Sequence, residues 1–269
     1  MRRSPGGMLL VISMVLFALA ISLWWFGRVA FTPVDDTSTS LAILDDSGIR
    51  GEIATVIASA DAAALNQSPA QLKEFIEQLA RIPDGAALMS QLVASGHERL
   101  IGDRDEPVQV SAEEQVVIVR DERVGEMPPI TLPVQEVGAL SVVQIGAFWV
   151  SIGAAVGGLL LLVAALVVRP ERGEITLAFG VGLGALAILL VVFGYLAPLA
   201  VLPAISDTTW MGVFPRLAHH NRALTFGVAL AALVLAAVVV FATASMRQRR
   251  QWSTPLSVGR YRDDQRWSR

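Results

Sequence analysis

The chain has 269 residues, of which 54% are hydrophobic and 17% charged, and its formal net charge is −3. That balance, with the apolar residues gathered into long runs, excludes an ordinary soluble domain and points to membrane spans. Zero cysteines exclude disulfides, thiolate metal sites, iron–sulfur clusters and cysteine nucleophiles.

The first apolar run, MLLVISMVLFALAISLWWFG at 8–27, follows Arg2 and Arg3. It is longer than the roughly 7–15 residue core of a secretory signal and has no A-x-A cleavage pattern. It therefore predicts an uncleaved anchor over 8–31, after a short cytoplasmic N-terminus at 1–7. Trp24 and Trp25 at its far end suit an interfacial aromatic belt.

Residues 32–143 carry 7 basic and 19 acidic side chains, a net charge of −12. A segment this long and this acidic predicts a small domain outside the membrane. Ser40 is a candidate cap for one helix through LAILDDSGIRGEIATVIASADAAAL, with Gly48 weakening its middle. Ser68-Pro69-Ala70-Gln71 has a capping-box pattern and opens a helix on which Leu72, Phe75, Ile76 and Leu79 share a face. Asp84 precedes a third short helix expected to end at Gly96, with His97 an exposed residue beyond it. From 107 the chain turns β-branched and punctuated, predicting strands near 107–111, 115–120 and 129–132, ended by Pro133.

Three further spans follow at 144–168, 175–203 and 223–245, each able to cross about 30 Å of hydrocarbon at roughly 1.5 Å per residue. Between them lie the turn 169–174 and the loop 204–222, and the tail 246–269 ends the chain. Pro198 and Pro203 are expected to kink or end the third span. The apolar runs contain no Asp, Glu, Lys, Arg or His, which argues against an ion pathway. Arg2 and Arg3, Arg169 and Arg172, and the 7 arginines of the tail all fall on one side of a four-span topology. The positive-inside rule makes that side cytoplasmic and leaves 32–143 and 204–222 outside. The fold class expected is thus membrane α-helical: four transmembrane helices with a small, mainly helical α+β extracytoplasmic domain between the first and second.

The loop SDTTWMGVFPRLAHHNRA, residues 206–223, gathers Asp207, Arg216, His219, His220 and Arg222. Adjacent histidines point about 100° apart on a helix, and the i,i+3 or i,i+4 spacing of metal pairs is absent. His219, His220 and Asp207 are the weak catalytic candidates, and no metal or cofactor is expected. The alternative favoured for the loop is an apolar stripe of Trp210, Phe214 and Leu217 lying in the membrane interface. Asp45-Asp46 is an i,i+1 pair without a calcium-loop pattern, expected at a helix start or on the surface. Gly153 and Gly157 in the second span, and Gly180 and Gly184 in the third, are small-x-x-x-small patterns that allow close helix packing, here or with another membrane protein. The acidity of the domain argues against direct binding to nucleic acid or to anionic lipid headgroups.

The anchor, the helix beginning LAILDDSGIRGEIATVIASA, the PLAVLPAISDTTW loop and a basic set with only Lys73 as lysine resemble the uncharacterised four-span integral membrane proteins of actinobacterial envelopes. The resemblance is one of layout. It implies residence in the cell envelope, and implies no reaction, cofactor or catalytic residue. The function expected is a non-enzymatic accessory or assembly subunit of an envelope complex, contacting the lipid bilayer and other membrane proteins through the acidic domain and small-residue helix faces. An outer-leaflet enzyme using His219 or His220 with carboxylates is the alternative, and a transporter a weaker one. The oligomeric state is left open.

Overall fold

The computed structural model describes residues 4–32, 36–168 and 170–252. Arg2, Arg3, Arg169 and the tail from 253, with Arg260, Arg262 and Arg266, lie outside the described residues, as do the side chains of Arg172, Arg247, Arg249 and Arg250. Among the described residues four helices are long and apolar enough to cross a membrane: Pro5–Phe31, Gly138–Val168, Gly173–Ile205 and Arg222–Thr243. They belong to α1 (Pro5–Phe31), α8 (Gly138–Val168), α9 (Arg172–Val191) with its continuation, and α11 (Arg222–Trp252). The α1 helix packs on both α8 and α9, and α11 packs on α9.

Hydrophobicity cannot select helix partners inside lipid, so close backbone approach and interhelical hydrogen bonds do. Ser13 is fully buried and its hydroxyl donates to the Gly158 carbonyl at 2.7 Å. Ser151 donates to the Ala20 carbonyl at 2.9 Å. The Trp25 indole N–H donates to Thr225 Oγ1 at 3.1 Å, tying α1 to α11. At the far end of the bundle Ser4 caps α1 and donates to Glu174 of α9 at 2.5 Å.

The expected glycines divide: Gly180 meets α11 closely, and the other three make no tight contact within the chain. A Cβ on Gly180 would sit 3.0 Å from Val240, and one on Gly157 would make only ordinary contact, 3.6 Å from Leu16. Nothing lies within 4 Å of such an atom on Gly153 or Gly184. Gly158, 3.3 Å from the Ser13 carbonyl, Gly182, 2.7 Å from Met14, and Gly194, 2.7 Å from Trp25, are tight as well. A four-residue spacing marks a small helix face, and a neighbouring residue lies about 100° round the helix, so spacing alone does not say which face meets the partner.

The third spanning helix does not break at Pro198. Its end widens into π-helical turns over Val192–Val201 that contain the proline, and Leu202 N–H bonds back to Ala197 at 3.0 Å. The i→i−5 register changes where the ring and the missing N–H fall in the ladder. A 3₁₀ turn at Pro203–Ile205 then ends the segment.

Between α1 and α8 the described residues form a head domain with six α-helices, α2 (Thr37–Leu44), α3 (Ser47–Leu65), α4 (Pro69–Leu79), α5 (Pro83–Leu88), α6 (Ser90–Ile101) and α7 (Ala112–Val119), and a 3₁₀ turn at Glu122–Glu126. The single helix expected from Ser40 is two. Asp36 caps α2, accepting from Thr39 N–H, and Asp46 caps α3, accepting from Gly48 and Ile49 N–H. The Asp46 carboxylate competes with helix continuation at Asp45-Asp46. Arg50, nearly buried, donates to the Leu44 carbonyl at 2.6 Å and satisfies an end of α2.

The α4 helix forms as expected, with Pro69 in its first turn and Leu72, Ile76 and Leu79 buried, although Ser68 makes no side-chain cap and Phe75 is exposed. The next helix does not stop at Gly96; α6 runs to Ile101 and ends on Gly102, whose φ of 84° is the left-handed cap geometry. The strand expected at 115–120 is instead α7. Ser111 accepts from Glu114 N–H at 3.3 Å and Glu114 accepts from Ser111 N–H at 2.7 Å, and this capping box outweighs the β-branched VVIV. The other two strands exist as β1 (Gln109–Val110) and β2 (Ile130–Thr131), antiparallel with Val110 opposite Ile130.

Candidate functional site

The place where distant parts of the chain converge is the junction between head and bundle. A 3₁₀ turn at Thr209–Gly212 leads into α10 (Val213–His220), and this connection between the third and fourth spanning helices enters the head. Trp210 is 2% exposed and Phe214 fully buried, and both join one core cluster with Ile43 and Ile49 of the head and Phe26 and Phe31 of α1. The apolar stripe of the loop is therefore real, but it faces the head's interior and not the membrane interface. Burying both rings in a protein core removes more apolar surface from water than a half-immersed position would. Of the four expected interfacial anchors, Trp24 is the exposed one, at 58%, while Trp25 is half-buried against α11.

Gly96 makes the seat for Trp210. A Cβ at that position would collide with the indole ring, so α6 keeps glycine in mid-helix at a cost to its intrinsic stability. The indole N–H donates to Glu52 Oε1 of α3 at 3.2 Å. Arg216, in α10, donates to Asp45 Oδ2 at 2.6 Å and to Asp46 Oδ2 at 3.4 Å. The Asp45-Asp46 pair thus does two jobs: Asp46 caps α3, and both carboxylates receive the loop's guanidinium.

His97 is fully buried where α6, α1 and α10 meet, in edge contact with Phe214 at 5.9 Å between ring centroids. It is not the exposed residue expected after Gly96. Neither ring nitrogen has a hydrogen bond of good geometry, although the Ala30 backbone lies near enough to favour the charged form a little. Burial lowers its pKa from 6.5 to about 4, so the imidazole is neutral at ordinary pH. Asp61 of α3 is also fully buried with both oxygens unpartnered, and burial raises its pKa from 3.8 to about 6. Both had a signal in the sequence. Val93, His97 and Ile101 repeat at four-residue spacing, as do Ile57, Asp61 and Leu65, which puts each titratable residue on a buried stripe.

The catalytic candidates do not assemble. His219 and His220 are exposed; His219 Nδ1 lies 3.4 Å from the Tyr195 hydroxyl, and His220 Nε2 lies 3.5 Å from Thr39 Oγ1. Asp207 is exposed and hydrogen-bonds neither. Among the described residues no group of three or more His, Asp or Glu is placed to hold a metal ion. The arrangement is suited to holding the head and the bundle in fixed relation, with charge and packing acting together. The chain matches no protein-family model, no curated protein and no solved structure.

Proposed function

We propose that the chain is a non-enzymatic, multi-pass membrane protein acting as an accessory or assembly subunit of a cell-envelope complex. The observation that carries this reading is the insertion of Trp210 and Phe214 into the head core, which joins the head to the spanning helices. A head so mounted can present a binding surface at a set height and angle above the bilayer. That surface carries most of the chain's acidity, and it also shows Phe75, Ile82, Leu88 and Val117 at 39–47% exposure. These four lie on or beside α4, α5 and α7, which pack on one another, and Glu74, Asp84 and Glu113 are exposed on the same helices. Apolar side chains among carboxylates suit a protein partner with a basic, partly apolar face.

In the proposed orientation both termini are cytoplasmic and the head is extracytoplasmic, as the arginine distribution favours. The cysteine-free chain is a ready background for labelling. Ser59→Cys on the head is expected to react with an impermeant maleimide on intact cells, and Ser257→Cys only after permeabilisation; the reverse pattern sinks the orientation. The partner reading is tested by cross-linking and purification from native membranes in mild detergent. A discrete neighbour lost with the Phe75→Ser, Val117→Ser double variant is expected. Recovery of the chain alone under every condition would overturn it.

The alternative of an outer-leaflet enzyme needs a carboxylate or nucleophile on a histidine nitrogen, within about 2.6–3.2 Å. Tyr195 and Thr39 hold those positions at longer range, so the subunit reading is preferred.

A further inference from the structure

Where α1 and α8 reach the head they part to leave a cleft of about 740 Å³, within the range of small-molecule sites. Its two ends differ in character. Leu23, Ile145, Phe148 and Ile152 form an apolar wall, with Trp24 and Trp149 along it at 58% and 63% exposure. Arg28, Thr32, Asp103, Ser141 and Gln144 supply the polar part.

Among the described residues neither of the two charges in the cleft has a partner of opposite sign. Arg28 is exposed in the last turn of α1 and has neither an ion pair nor a hydrogen bond among the described residues. Asp103 accepts only from the Gln144 amide, at 3.2 Å, and has no cationic partner there. A cation and an anion that line one cleft without pairing leave room for a ligand carrying both signs. The guanidinium's fork suits a phosphate, and a carboxylate held by Gln144 suits an ammonium. An apolar wall running from them along two spanning helices suits acyl chain.

We propose that this cleft binds one phospholipid with an amine headgroup, its phosphate on Arg28, its ammonium on Asp103 and an acyl chain against Ile145 and Phe148. The proposal rests on the membrane-spanning reading of α1 and α8 and is independent of any protein partner. The lipid would fill the seam between anchor, second span and head, and so would stabilise their relative placement.

The test uses the full chain, delipidated in detergent and titrated with phosphatidylethanolamine, phosphatidylglycerol or diacylglycerol, with bound lipid counted by native mass spectrometry. One phosphatidylethanolamine per chain is expected, held more tightly than the other two. Arg28→Gln is expected to weaken both phospholipids about tenfold, the loss of one charged hydrogen bond. Asp103→Asn is expected to abolish the preference for ethanolamine over glycerol. Ile145→Trp, which fills the cleft and leaves the charges intact, is expected to exclude lipid and serves if a polar variant proves unstable. Equal binding of diacylglycerol, or unchanged binding by Arg28→Gln, overturns the site. Displacement by free phosphoethanolamine at concentrations matching those of the lipid would overturn the lipid occupant in favour of a soluble phosphate ester.

Discussion

Arg216 and Asp45 lie 171 positions apart in the sequence and meet at 2.6 Å, joining the connection before the fourth spanning helix to the start of the head. The contact shows that the loop and head are one structure, but its energetic share is small. Arg216 is one-third exposed and Asp45 largely exposed, and such pairs are typically worth about 0.2–1 kcal/mol.

The first prediction separates the charge from the core. Arg216→Ala is expected to cost about 1 kcal/mol or less, and less still at high salt. Phe214→Ala, in a fully buried position, is expected to cost about 3–5 kcal/mol. Thermal unfolding of the detergent-purified chain at two salt concentrations measures both. A larger loss for Arg216→Ala would mean the ion pair holds the junction.

A second concerns Gly96 and Trp210. Gly96→Ala is expected to destabilise by about 1–3 kcal/mol, because the new methyl enters the indole ring's space. Adding Trp210→Phe should recover part of that loss, since the smaller ring withdraws from the methyl. Additive losses in the double variant would show that the two residues do not share a seat.

The buried titratable groups predict opposing pH effects. Asp61, raised to about 6 by burial, favours the fold when protonated. Its stabilisation is complete below 3.8 and is lost as pH rises through 6. His97, lowered to about 4 by burial, favours the fold when neutral. Its contribution is complete above 6.5 and is lost as pH falls through 4. Between pH 4 and 6 the two slopes oppose each other, so the wild-type profile is expected to be shallow. Asp61→Asn should gain stability relative to wild type as pH rises from 4.5 to 7.5. His97→Leu should gain it as pH falls. Parallel melting profiles for all three proteins across that range would refute both assignments.

Inside the bundle, Gly158→Val is expected to force α1 from α8 and break the Ser13 bond, lowering the melting temperature clearly. Gly153→Val, with nothing within 4 Å of its added atom, should leave it unchanged. Equal effects at the two positions would mean the packing face is misassigned.

Much of the head was legible in local chemistry. The Pro69 helix follows from a proline at its first turn and an apolar stripe at helical spacing. The Ser111 capping box is equally local, and it prevails over the β-branched residues after it because β propensity reports packing context more than backbone preference. The burial of His97 and Asp61 runs against residue type, since polar residues are rarely buried without partners, and shows only in the apolar stripes they share.

By itself the sequence determined four apolar helices of spanning length and the acidic segment between the first two, since both depend on composition and local pattern alone. It also marked Trp210, Phe214 and Leu217 as one apolar face. Which surface that face meets was decided only by tertiary structure. A lipid boundary and a protein core both accept an apolar stripe, and the choice rests on Gly96 leaving space for an indole and on Asp45 and Asp46 standing where Arg216 arrives. Complementarity between segments some 110–170 residues apart has no local signature in either one.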